Sequence, residues 1–321
     1  MELSVRNIPE MYSEMMVLMK GRGMEEDSRN GKVLSLRTPL TVTVWNPANR
    51  VLHDRVRCAN PFFHVMEFVW MMSGSNKPEW VSQFNSRLME YADAGTGTIH
   101  GAYGHRWRAH FSRDQIASVI SMLRKDPQDR RVVLGMWDPR VDLTTLKNDL
   151  PCNTHIYFRV VESRVGGGQL DMTVCNRSND VVWGMTGANA VHMTLLQELV
   201  SQAAGIPMGA YRVFTNNAHI YTGLRGYHKM LDTLVRHDRY DPAGAVPVLG
   251  FGDNYIDFLD QCGDFVSGGY SFRNNWLKVV ALPMREYYLS RRAGRPLEYW
   301  VDSIKDVNWR VACEEWIKWK S

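Results

Sequence analysis

Between Ile156 and Phe214 the chain spells strand, glycine turn, strand, helix, strand, and this order narrows the fold more than any other stretch. Ile156-Tyr157-Phe158-Arg159-Val160 is an apolar run, Val165-Gly166-Gly167-Gly168 supplies a hairpin-like turn, and Gln169-Leu170-Asp171-Met172-Thr173-Val174 returns as a second strand. From Thr186 to Ala203 the apolar spacing becomes helical (Met193, Leu195, Leu196, Leu199, Val200), with Gly205 and Pro207 to end it. Tyr211-Arg212-Val213-Phe214 is a further strand. At 321 residues the length allows one large α/β domain or two ordinary ones.

The rest of the chain extends this reading in both directions. Residues 8 to 22 have helical spacing with a methionine face, and Ser28-Arg29-Asn30-Gly31-Lys32 is a turn ahead of strands through Val33-Leu36 and Leu40-Trp45. Pro61 to Met72 is apolar at nearly every position except His64 and Glu67, which predicts a buried helix. Residues 91 to 108, rich in glycine, aromatics and arginine, read as a loop that closes over a flat ligand. Gln115 to Leu123 is an amphipathic helix, and Arg130-Arg131 opens a strand over Val132-Trp137. Beyond about residue 225 the chain is helical and tryptophan-rich. With no repeat and no linker, residues 1–321 read as a single domain, with 226–321 as a mainly helical C-terminal extension.

Composition excludes several classes. The 45% hydrophobic and 22% charged fractions are those of a soluble globular chain, no apolar run approaches a membrane span, and Met1-Glu2-Leu3-Ser4 lacks the pattern of a secretory leader, so the cytoplasm is the expected compartment. Five widely spaced cysteines without a Cys-x-x-Cys pair argue against a disulfide framework and against a zinc site. A net charge of +4 is too small to imply nucleic-acid binding; the small basic clusters suit a compact anion better.

Chemistry concentrates at Leu150-Pro151-Cys152-Asn153-Thr154-His155. Proline fixes its own φ and presses the preceding residue towards extended geometry, so the direction of the Cys152 thiol is set locally, as a nucleophile at the start of a strand. The plainer alternative is a cysteine that serves only as a small buried hydrophobe. Glu67, a carboxyl on an apolar helix, is either a proton-handling group or half of a structural ion pair. Arg29 beside a glycine, and Arg130 with Arg131, are candidates for bidentate contact with phosphate, or ordinary surface arginines.

Three stretches taken together, Pro151-Cys152, Arg177-Ser178-Asn179-Asp180 and Ala218-His219-Ile220-Tyr221, resemble in order and spacing the thymidylate synthase family, including its pyrimidine deoxynucleotide hydroxymethylase branch, over residues 8 to 225. The resemblance implies a large mixed β-sheet with helices on one face, a homodimer formed by stacked sheets, and 5,10-methylenetetrahydrofolate as the one-carbon donor. It implies that Cys152 adds to C6 of a pyrimidine nucleoside monophosphate, with Arg177 favouring the thiolate. Glu67 would move protons around the base, and Tyr103 would stand near the reacting carbon. Arg29, Arg177 and Ser178 would hold the 5′-phosphate, joined by Arg130 and Arg131 from the partner subunit. His219 and Tyr221 would bind the sugar hydroxyl, and Asp180 would face the folate.

The chain also departs from the family pattern. Asn153 follows the nucleophile where the synthases carry histidine, which places this residue in the catalytic set. Leu88 stands where they carry tryptophan, and the chain runs on to Trp316-Ile317-Lys318-Trp319-Lys320-Ser321 in place of a short apolar tail. Less exclusion of water favours capture of the methylene intermediate by water, giving a hydroxymethyl rather than a methyl group. The base-reading position falls on Ala188 without a gap or on Asn189 with one inserted residue, and the carboxamide of Asn189 suits uracil. Thymidylate synthesis and hydroxymethylation of dCMP are the neighbouring alternatives. A cysteine amidase or protease using His155 or His219 would leave the arginines unexplained, and a nucleotide- or RNA-binding protein on the same fold is the non-catalytic alternative.

Overall fold

The computed structural model of the protein describes residues 1–144, 149–163, 166–234 and 239–320. Among the described residues ten strands form two sheets: β1 (Glu2–Val5), β2 (Met24–Ser28), β3 (Gly31–Ser35), β4 (Leu40–Val44), β5 (Val133–Gly135), β6 (Asn153–Glu162), β7 (Gly168–Asn176), β8 (Asn179–Asp180), β9 (Met208–Thr215) and β10 (Ala218–Tyr221). The larger sheet is mixed, in the order β1-β4-β9-β7-β6-β5, with β1 parallel to β4, β7 parallel to β9, and the other pairs antiparallel. The smaller sheet runs β2-β3-β10-β8. The chain passes between the sheets at residues 177–178 and 216–217, and these two crossings bring the site together.

Along β6 the alternation is visible residue by residue: Ile156, Phe158 and Val160 are buried, while Tyr157 and Arg159 are exposed. The buried face is covered by helices. Pro61–Met72 is started by Asn60, whose side chain accepts from the Phe63 N–H, and by Pro61 in its first turn. All of its residues except Glu67 are buried, and Phe68 meets Trp276 edge-on at 5.9 Å. Ala188–Ala204 ends at Gly205 in the left-handed conformation (φ 71°). This helix is tied to the sheet by Gln197, whose Nε2 reaches the carbonyls of Leu170, Gly209 and Ala210 at 2.9, 3.2 and 3.1 Å, where the β7–β9 register slips between Leu170 and Met172. The slip frees carbonyls that would otherwise be buried without donors.

Two expectations need correction. The stretch 91–108 is not simply a loop: Tyr103–His105 is a helical turn that continues into a widened turn over Arg106–His110. Gly104 is there for contact rather than flexibility, because a Cβ would lie 1.8 Å from the carbonyl oxygen of Met71. The strand after Arg131 covers only Val133–Gly135, and Arg130 and Arg131 lie in the preceding turn rather than opening the strand. The turn after β6 has Gly166 and Gly167 at φ 92° and 78°, whereas Val165 lies outside the described residues, as does Ser321 at the chain's end.

After residue 225 the helices Tyr255–Val266, Leu282–Ala293 and Val307–Lys320 contribute Phe258, Phe265, Tyr287, Trp309 and Cys313 to the same core as the sheet. The last helix lies against the start of Pro61–Met72, with Trp316 5.7 Å from Phe62 and 6.2 Å from Tyr288.

Candidate active site

Cys152 immediately precedes β6, half-buried, and its segment is held from the end of β7. The Arg177 main-chain N–H donates to the Cys152 carbonyl at 2.9 Å, Nε donates to Pro151 O at 3.0 Å, and Nη2 donates to Leu150 O at 3.0 Å. One side of the guanidinium therefore fixes the nucleophile's loop. The Arg177 side chain is exposed and has further N–H donors available for an anion. Its guanidinium carbon stands 5.6 Å from the Trp137 ring.

Burial pushes the Cys152 thiol above its ordinary value; Arg177 and, more weakly, Arg29 pull it down, while Asp149 and Asp180 push it further up. The expected thiolate is thus not the resting form: Arg177 acts in the expected sense, and desolvation outweighs it. The charges of four groups from separate stretches nonetheless act on one thiol. Glu67 is in the same electrostatic neighbourhood, its carboxyl pushed up to about 8 by burial and then by the charge of Asp149. His192 approaches Glu67 at 3.5 Å, but burial drives this imidazole down to about 3 and its Nε2–H donates to His64 O at 3.1 Å. That contact is between neutral groups, so Glu67 is not half of an ion pair with His192 and stays protonated at neutral pH.

Tyr103 completes this cluster. Its Oη accepts the Asn153 N–H at 3.3 Å, and burial holds the phenol well above its usual range. Asn153 is fully buried; Nδ2 donates to the carbonyls of Cys175 at 2.9 Å and His155 at 3.3 Å, where the β6–β7 register shifts. Gly101 N–H donates to Asp149 Oδ2 at 3.0 Å, which fixes a carboxylate whose charge acts on Glu67, Tyr103 and Cys152.

The smaller sheet supplies the second half. In the register of β10 with β8, His219 pairs with Asp180, and β10 with β3 pairs His219 with Ser35 and Tyr221 with Val33. The rings of His219 and Tyr221 meet edge-on at 5.2 Å. His219 Nδ1–H donates to Asn217 Oδ1 at 2.9 Å, and the Ser178 hydroxyl donates to the same oxygen at 3.3 Å. Arg29 lies in the β2–β3 turn of this sheet, exposed. Asp180 uses Oδ1 to accept the N–H groups of Val182 and Trp183, at 2.7 and 2.9 Å, and so caps the next turn. Gly184 separates two carboxamides: a Cβ there would lie 2.5 Å from Asn179 Oδ1 and 3.1 Å from Asn189 Nδ2. Asn189, half-buried, presents its amide to this point, while Ala188 is the buried first residue of its helix.

Arg130 and Arg131 stand apart at the turn before the edge strand β5, both exposed, with Arg131 held by Asp129 at 2.7 Å. Leu88 lies on the short helix Ser86–Tyr91, which contains no buried residue. Sequence reasoning passed over Asp149 and Trp183. Asp149 flanks a motif that drew attention to other residues. Trp183, 40% exposed, has the guanidinium of Arg57 at 4.7 Å and that of Arg87 at 5.8 Å. Among the described residues no group of three His, Cys, Asp or Glu side chains could hold a metal, and no helix is long and apolar enough to cross a membrane.

Comparison with known proteins gives the same picture. The family model for thymidylate synthase matches residues 18–261, further than the motifs alone reached. The deoxyuridylate hydroxymethyltransferase of Pseudomonas phage M6 is 36% identical over 332 aligned positions, covering 98% of this chain and 93% of the phage protein. Those of Delftia phage PhiW-14 and Bacillus phage SP01 are 35% and 28% identical, over 63% and 60% of this chain and 57% and 51% of their own lengths. A larger mixed sheet whose strands are flanked by Cys152 and Arg177, a smaller sheet that carries His219, and a family match across most of the chain's length make this chain a member of the thymidylate synthase family.

Proposed function

We propose that the protein transfers a one-carbon unit from 5,10-methylenetetrahydrofolate to C5 of dUMP and releases it as 5-hydroxymethyl-dUMP. The observation that carries this reading is the Arg177 guanidinium bonded to the loop of Cys152, with Tyr103 bonded to the next residue and the charges of Arg29, Asp149 and Asp180 also acting on the thiol. Addition of the thiol to C6 makes C5 nucleophilic. Arg177 draws the thiol towards ionisation, and a protonated Glu67 can give a proton to the base and, once ionised, take one back. Arg29, Arg177 and Ser178 hold the 5′-phosphate, while His219 and Tyr221 hold the sugar. Asn189 reads uracil through a carboxamide that both donates and accepts; no carboxylate stands there to favour cytosine.

The folate supplies the carbon when bound. Trp183, exposed between two guanidinium groups and three residues from Asp180, offers a flat apolar surface beside cationic groups, which fits an aromatic carboxylate. Water rather than hydride completes the product in this reading. Leu88 in place of an indole and Asn153 beside the nucleophile support it, as do phage relatives that bear the name deoxyuridylate hydroxymethyltransferase.

Assembly is part of the proposal. The face of the larger sheet turned from the helices carries Val133, Tyr157, Thr173, Arg212 and Thr43 in one line of register, with Val133 and Tyr157 exposed. A second copy stacked there would cover this band, and in this reading Arg130 and Arg131 beside β5 reach across to its phosphate. The test is release of tritium from C5-labelled dUMP: it should require methylenetetrahydrofolate, yield no dihydrofolate, and vanish in Cys152→Ala. Release without the folate, or stoichiometric dihydrofolate, would overturn the reading.

A further inference from the structure

Asn153 carries a polar atom that the reading above does not use. The residue is 0% exposed, its N–H is committed to Tyr103 Oη, and both Nδ2 bonds run to backbone carbonyls. Those two bonds fix the amide's orientation, since only the nitrogen end can donate. The other end, Oδ1, is buried with no donor among the described residues. A buried carbonyl oxygen in that condition is costly and calls for a donor. Its position is specific: one residue from the Cys152 sulfur, against a phenol that accepts from the same residue and so keeps its own hydrogen to donate.

We infer that Asn153 Oδ1 and the Tyr103 hydroxyl together hold the water molecule that adds to the exocyclic methylene of the nucleotide, which makes Asn153 a positioning residue for the choice of product. This rests on the hydroxymethyl reading above. Such a water accepts from Tyr103 Oη–H and donates to Asn153 Oδ1, which leaves a lone pair for carbon. Its oxygen bonds to the methylene carbon, and the π pair moves into the ring as an enolate. That pair then returns to expel the Cys152 sulfur from C6. The proton lost by water ends on the departing thiolate, so methylene adduct plus water gives 5-hydroxymethyl nucleotide plus free thiol, with no oxidant or reductant consumed. An amide suits the task because it accepts without ionising, whereas a protonated imidazole at this position could only donate.

The experiment compares Asn153→Leu, which removes the acceptor at similar size, with Asn153→Asp, which keeps one. The quantity read is hydroxymethyl nucleotide formed per tritium released from C5, with 2-mercaptoethanol present to trap methylene that water does not capture. Wild type and Asn153→Asp should give a ratio near unity, and Asn153→Leu a ratio at least about tenfold lower with the thioether in its place. An unchanged ratio in Asn153→Leu would overturn the inference. A crystal structure of the unaltered protein decides independently of how the variants fold: water within about 2.6–3.2 Å of Asn153 Oδ1 is expected, and its absence contradicts the inference. If wild type instead forms thymidylate, it is the hydroxymethyl reading that has failed.

Discussion

Glu67→Gln separates the cost of the Glu67 carboxyl from its use. In the folded chain this group titrates near 8 rather than 4.5, because burial and the Asp149 charge disfavour its ionised form. A tenfold change in an ionisation constant is worth about 1.4 kcal/mol, so at neutral pH the folded state is penalised by roughly 3 kcal/mol relative to a group that never ionises. The side chain keeps 17% exposure, and water reaching it reduces the penalty to about 1–3 kcal/mol. The sign follows from proton binding. Below about pH 4.5 both states are protonated and there is no penalty; between 4.5 and 8 the unfolded chain has lost a proton that the folded chain retains, so stability falls as pH rises; above 8 the difference is constant. Glutamine stays neutral throughout. Urea unfolding at one protein concentration should therefore show Glu67→Gln gaining about 1–3 kcal/mol on wild type between about pH 5 and pH 8, while C5 tritium release falls by about 10²–10⁴-fold. A stability gap that does not change with pH, or one that moves against glutamine as pH rises, would refute the assigned protonation.

Three further outcomes follow from the same geometry. Arg177→Ala should weaken dUMP binding by at least about a hundredfold and lower the melting temperature, since two charged bonds to Pro151 and Leu150 go with the phosphate contact; Arg29→Ala should cost about tenfold in affinity, and isothermal titration and thermal melts would distinguish them. Asn189→Asp should shift the ratio of kcat/KM for dUMP over dCMP towards dCMP by at least about tenfold, with no shift if Asn189 does not touch the base. Tyr157→Glu, on the open face of the larger sheet, should turn a dimer into a monomer in sedimentation and abolish turnover, whereas a wild-type monomer would contradict the stacked assembly.

Much of this architecture is written in local signals. The helices at Ile8–Arg22 and Pro61–Met72 carry their caps in sequence as Asn7 with Pro9 and Asn60 with Pro61, and Gly205 marks the end of Ala188–Ala204. What escaped was set by distant partners. Gly104 read as loop flexibility, yet it is required by a close approach to Met71 across the core. Asp149 is unremarked in sequence because its importance comes from Gly101, Glu67 and Cys152, which only the fold brings near it. Arginine beside a thiol predicts a thiolate, but the depth of burial that outweighs it depends on packing. The same holds for Asn153: its position after the nucleophile is legible, and the isolation of its oxygen is not.

The central claim is that a Cys152 adduct at C6 ends in capture of carbon by water. The most direct test is the mass of the nucleotide formed from dUMP and methylenetetrahydrofolate in water enriched in oxygen-18. The account predicts 5-hydroxymethyl-dUMP bearing one heavy oxygen, with none formed by Cys152→Ala. Thymidylate accompanied by dihydrofolate, or a hydroxymethyl product without the label, would contradict it.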